Sequence, residues 1–312
     1  MALSEGRMTT PRPLPAPERR AASAPLQRPA RRRLLCAGVN AVLVGGLLPT
    51  GLSGCGGGDD PGATPDARMA SLDNFRDVAG ALYGHPTSDG RRMRRGLLYR
   101  AGVLSPDAAD AARLAALGLQ CVYDLRTREE AAAQPDTLPG GVLSQRLSLQ
   151  PFYAAADLPA SADLAVQSIQ TAQRALVRDA PACAQLRSLL SDVAVASGAL
   201  VIHGEQGLHR TGWVAALLLA IAGVPWDVML QDYLASNGRL RAWQAKQSRA
   251  MALAYGDAAA QACAPFWQAQ AAYLQAGFDA MQDAYGSLDT YLTRGLGLDD
   301  TTVERLRSRL VS

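Results

Sequence analysis

Ten residues carry most of the chemistry this sequence offers: HGEQGLHRTG, His203 to Gly212. The short aliphatic run GALVI precedes them and the long apolar run WVAALLLAIAGV follows. They therefore join a buried strand to a buried helix. A loop of that kind turns successive backbone N–H groups into one concavity, and the helix N-terminus adds partial positive charge. Arg210 offers planar, two-point donation to an oxyanion. Gly207 permits tight curvature, and Thr211 can bond back to the loop. Glu205, Gln206, Gly207, Leu208, His209, Arg210 and Thr211 together would cradle a phosphate or sulfate. An ordinary structural loop is the alternative reading. Gly204, directly after His203, supplies no side chain for covalent chemistry.

Other polar groups lie where strands should end. Asp124 and Arg126 close the run LQCVYDLRT, and Arg100 closes LLYRAG. Both arginines could extend the cradle toward a multiply charged ligand, or pair with carboxylates such as Asp77 or Glu129 and hold loops in place. Asn74, Arg76 and Asp77 form a polar run that should hydrogen-bond as a network around the site. Asp124 could cap the loop that follows its strand. Three histidines, His85, His203 and His209, are too scattered to indicate a metal, and no cofactor motif is present. Cys121, Cys183 and Cys263 could include one disulfide pair, or could be buried thiols.

The elements that must position these groups read as α/β. LLYRAG, LQCVYDLRT and ALVIH are strands. SPDAADAARLAALG is a helix capped at Ser105, with Pro106 in its first turn and Gly118 as its stop. Residues 161–196 carry helical periodicity, PWDVMLQDYLAS is another helix, and 239–283 reads as one or two more. The C-terminus reads as helix, glycine turn, helix, with Asp300 or Thr301 as the last cap. This β-α-β progression implies a central, mostly parallel sheet flanked by helices, with the 239–283 segment as a lid-like insertion.

The chain has 312 residues, 48% hydrophobic, with a formal net charge of +3. N-terminal arginines supply much of that charge, so it implies no nucleic-acid partner. The segment ARRRLLCAGVNAVLVGGLLPTGLSGC pairs a basic cluster with a moderate apolar run broken by glycines and Pro49. That suits an export signal better than a permanent membrane span. LSGC resembles a bacterial lipobox, with lipidation at Cys55. The expected organisation is an export signal over 1–54, a glycine-rich tether over 55–70 and one domain over 71–312. The protein would face the periplasm, held to the membrane by the Cys55 lipid.

The His203–Gly212 stretch resembles the phosphate loop of cysteine-dependent tyrosine phosphatases: His, Cys, five residues, Arg, Ser or Thr, Gly. NFRDVAG (74–80), LYRAG (98–102), VYDLRTREE (122–130), DYLASN (232–237) and YLTRGLGL further resemble a bacterial branch of secreted tyrosine/phosphoinositide phosphatases. They occur in that branch's order across most of residues 72–312. The resemblance implies a tyrosine-phosphatase-like fold, phosphate-monoester hydrolysis, and a phosphorylated protein or phosphoinositide-like ligand. It assigns the nucleophile's position to Gly204, phosphate binding within the catalytic site to Arg210 and proton donation or site organisation to Asp124. His203, Asn74, Arg76, Asp77, Arg100 and Arg126 would organise the site.

The departures are specific. Glycine at 204 supplies no thiolate. The branch reads Lys-Asp before the arginine, whereas this chain reads Leu208-His209. Glu205 should point away from the nucleophile position; His209 could take a phosphoryl group or be a satisfied surface histidine, and a water attacking directly, without a pre-positioned nucleophile, would give at most slow residual hydrolysis. Three readings follow: a phosphatase fold that binds without cysteine-based turnover, an active enzyme whose sequence carries a Cys-to-Gly change, or an envelope-bound interaction module that binds no oxyanion.

Overall fold

Residues 69–150 and 158–312 are described by a computed structural model. The export signal, Cys55 and most of the tether fall outside the described residues. Strands β1 (Arg76–Asp77), β2 (Leu98–Ala101), β3 (Leu119–Asp124), β4 (Leu143–Arg146) and β5 (Ala199–His203) form one sheet in the order β1-β2-β5-β3-β4. β2, β5, β3 and β4 run parallel, and β1 pairs antiparallel with β2. β5 is central, and all five of its residues are buried. That is why ALVIH is a continuous apolar run rather than an alternating one.

The sheet is covered on both faces. Leu200 and Ile202 of β5 join the larger core, while Ala199 and Val201 join the smaller. The smaller core holds Phe75, Tyr99 and Leu114 of helix α1 (Ala108–Ala116). The larger takes in α3 (Ala162–Arg178), α4 (Ala180–Val195) and α5 (His209–Ile221). Helix α5 is buried on nearly every side, which explains its lack of a polar face. Cys121, Cys183 and Cys263 are buried free thiols.

Local boundaries depart from the sequence reading in informative ways. Helix α1 begins later than Ser105-Pro106, because the Asp107 side chain caps it by accepting from the Asp110 amide. The 161–196 stretch is two helices, broken at Asp179 ahead of Pro181. After α6 (Trp226–Leu234) and the short α7 (Ser236–Arg239), the 239–283 stretch makes three α-helices where one or two were expected: α8 (Arg241–Tyr255), α9 (Asp257–Cys263) and α10 (Ala271–Tyr285). Asp299 caps the terminal helix, Asp300–Leu310, one residue before the expected start. No helix among the described residues is long and apolar enough to cross a membrane.

Candidate active site

The loop Gly204–Leu208 leaves the C-terminal end of central β5 and enters α5 at His209. Its carbonyls turn toward the N-terminal segment. Glu205 O accepts from the Val103 amide at 3.1 Å. Gln206 O accepts from Asn74 Nδ2 at 3.3 Å. Gly207 O accepts from Asn74 Nδ2 at 2.8 Å and from Arg100 Nη2 at 2.9 Å. In a trans peptide the N–H lies opposite the preceding C=O. The amides of Gln206, Gly207 and Leu208 therefore face the other way, into the concave side of the loop. This is a cup of N–H donors at a helix N-terminus.

Gly207 makes that curvature possible. Its φ is +64°, and a Cβ there would lie 2.4 Å from Ala101 O. Asn74 also sits in the left-handed region, at φ 58°, where asparagine is among the tolerated side chains. Arg76 steadies it, donating to Asn74 O at 3.2 Å and to its side-chain oxygen.

A buried ion network backs the loop. Arg76 Nε meets Asp232 Oδ1 at 3.0 Å, and Arg100 Nη1 meets Asp232 Oδ2 at 3.0 Å. Arg76 also reaches Ser236 Oγ at 3.1 Å. Burial alone would raise the Asp232 pKa, but the two guanidinium groups outweigh it and hold it down at about 2. Burial and the neighbouring Arg76 charge lower Arg100 to about 9. Arg100 thus pairs with Asp232, not with the carboxylates expected for it. Asp77 has a structural role of its own. It accepts from the Ala79 amide at 2.9 Å and the Gly96 amide at 2.7 Å, fixing the turn that follows β1.

On the opposite side, Arg210 makes a two-point ion pair with Glu130: Nη1–Oε2 2.7 Å and Nη2–Oε1 2.8 Å. Nη1 also donates to Leu149 O at 3.0 Å. The edge formed by Nε–H and the second Nη2–H makes no bond among the described residues, so a two-point donor face remains. Burial raises the Glu130 pKa, yet its bonds and charge contact with Arg210 bring it below the usual range. Glu130 is itself fixed by a capping box with Thr127 at the start of α2 (Arg128–Ala133). Glu205 is half-buried. Burial, then the Glu130 charge, raises its pKa, against the pull of Arg210.

Beneath the loop, Asp124 accepts from Arg126 Nε at 2.8 Å, from the Arg126 amide at 2.9 Å and from Arg146 Nε at 3.4 Å. Arg126 also bonds Asp136. His203 Nε2 lies 3.5 Å from Asp136 Oδ2 and 3.8 Å from Asp124 Oδ1. Burial lowers the His203 pKa despite both carboxylates. Burial also works to raise Asp124, but Arg126 and His203 bring it below the ordinary carboxylate value. The Arg126 and Arg146 guanidinium groups supply the cations beside these carboxylates. His209 turns into the core: its Nε2 donates to Phe266 O at 2.9 Å, and its ring packs edge-on to Tyr273. Burial lowers its pKa to about 4, so it is neutral at pH 7.

Three carboxylates at this site, Glu130, Asp136 and Asp232, did not emerge as site residues from the sequence. Two had a readable signal. Asp232 shares the buried face of α6 with Met229 and Tyr233, and a carboxylate on such a face requires a buried partner. Thr127 and Glu130 have capping-box spacing.

The Tyrosine phosphatase family model matches residues 67–312, and the chain belongs to that family. A Cupriavidus necator protein named as a tyrosine-protein phosphatase is 31% identical over 75% of this chain and 85% of its own length. The triple specificity protein phosphatase PtpB of Mycobacterium tuberculosis is 30% identical over 76% of this chain and 96% of its own. A P. aeruginosa TpbA structure overlaps 59% of this chain and 85% of its own, at TM-score 0.34 and 18% identity.

Proposed function

We infer that this chain binds phosphate monoesters in the Gly204–Arg210 loop and does not form a phosphocysteine. The observation that carries this reading is the set of loop carbonyls bound from behind. It leaves the Gln206, Gly207 and Leu208 amides and the free edge of Arg210 for an oxyanion, beside a residue with no nucleophile. Gly204 also removes a negative charge that would oppose a phosphate dianion. A phosphorylated protein or a phosphoinositide-like head group presents the same dianion. Asp124, bonded by Arg126 and Arg146, serves as a site organiser in this reading, and α8 forms a wall of the groove. The chain reaches the periplasm as a lipoprotein anchored through Cys55.

The test is paired. The protein as it stands and Gly204→Cys are measured for phosphate binding by calorimetry and for hydrolysis of an aryl phosphate. Both should bind, and Gly204→Cys should hydrolyse at least about a thousandfold faster. Failure of both to bind would favour the interaction-module reading. Radiolabelled palmitate incorporation that is lost in Cys55→Ala would support the anchor.

A further inference from the structure

Gly204 and Thr211 form a feature that phosphate binding alone does not use. Among the described residues beyond its chain neighbours, a Cβ added at Gly204 would meet one group within 4 Å: Thr211 Oγ1, at 3.0 Å. Thr211 is 1% exposed, and its hydroxyl has no partner among the described residues. A threonine in the first turn of a helix ordinarily bonds a nearby backbone group, and an orphaned buried hydroxyl is unfavourable. The space beside Gly204 therefore ends on the Thr211 hydroxyl, a buried polar atom that is left to bond a group seated there. A buried water needs about two to four polar partners in such a place.

We propose that a water molecule held by the Thr211 hydroxyl beside Gly204 attacks phosphorus directly, so that this chain hydrolyses aryl phosphates in a single displacement without a phosphoenzyme. The proposal rests on the phosphate-binding reading above. The water oxygen forms the new P–O bond as the P–O ester bond breaks. The aryl oxide leaves with the bonding pair and takes a proton from solvent. The water's proton passes to a non-bridging phosphoryl oxygen, and the products are the phenol and inorganic phosphate. Arg210 and the loop amides carry the charge on the equatorial oxygens. Thr211 is a positioning residue: it acts through the water. Water is a weaker nucleophile than a thiolate, so the rate lies orders of magnitude below that of a cysteine enzyme.

The experiment uses the full chain with p-nitrophenyl phosphate, an isotopically chiral aryl phosphate, and inorganic phosphate as the binding probe. The native protein should show slow turnover above buffer, with inversion at phosphorus. Gly204→Ala sets a methyl group against the Thr211 hydroxyl, where it crowds the water, and Thr211→Val removes the hydroxyl at constant shape. Each should lower kcat roughly a hundredfold, a loss much larger than any accompanying loss of phosphate affinity. Thr211→Ser, which restores the hydroxyl, should recover turnover. Retention of configuration, an undiminished rate in Thr211→Val, or no turnover by a native protein that binds phosphate would each overturn the proposal. Loss of phosphate binding by the native protein would instead remove the parent reading, and the proposal with it.

Discussion

Gly207 and Gly204 sit three residues apart in one loop and are glycine for different reasons. At Gly207 the backbone has φ +64° and runs against Ala101 O, where a Cβ would come within 2.4 Å. At Gly204 the backbone is outside the left-handed region, and among the described residues a Cβ would meet a threonine hydroxyl at 3.0 Å and no backbone. The fold demands the first glycine and merely accepts the second. The loop's shape is thus kept by its rear wall, independently of the residue that would do covalent chemistry. Asn74, Arg76, Arg100 and Asp232 would hold the amides in place whichever side chain stood at 204.

Substitutions that separate shape from chemistry test this contrast. Gly207→Ala should have the largest effect on stability, on the order of 4 kcal/mol or more, from the sum of left-handed strain and backbone overlap. Urea unfolding would measure it, and a near-neutral result would mean that the loop is not locked from behind. Asp232→Asn leaves Arg76 and Arg100 buried without their carboxylate. It should cost about 3 kcal/mol and weaken phosphate binding as the Gly207 carbonyl is released. If binding survives intact, the network is a scaffold only.

A third prediction concerns His209, whose folded-state pKa of about 4 lies below its ordinary 6.5. The unfolded chain takes up this proton first, so stability is full above about pH 6.5 and falls as pH drops toward 4, by up to about 1.4 kcal/mol per unit. His203 is shifted in the same direction and adds to the slope. His209→Gln should flatten the stability profile between pH 6.5 and 4 without abolishing the slope. An unchanged profile would show that His209 is accessible to protons in the folded protein. The smallest effect belongs to Gly204→Ala, expected within about 1 kcal/mol of the native stability, because one side-chain hydroxyl must give way. A large loss there would erase the distinction between the two glycines.

The strand-loop-helix unit was legible because its signals are local: a short aliphatic run, a glycine-bearing polar stretch and a long apolar run. The pairing of charges was not. Arg100 and Arg126 both follow strands, and from sequence each had several candidate carboxylates. The structure gives Asp232 to Arg100 and Asp124 with Asp136 to Arg126, partners 132, 2 and 10 positions away. His209 shows the same limit. As a residue type beside Arg210 it could face the ligand or the core. The carbonyl of Phe266, 57 residues on, draws it inward.

The sequence by itself determined that no thiolate stands at position 204, that Arg210 opens a buried helix, and that a central parallel sheet carries the loop. Those follow from residue identity and hydrophobic periodicity, which act over a few neighbours. Only the tertiary structure decided which way the loop's peptides face, that Arg210 keeps one donor edge after binding Glu130, and that the Thr211 hydroxyl points at Gly204. Each of these depends on groups brought together across the sheet. Buried polar atoms must find partners wherever the chain's path places them, and no local pattern encodes that path.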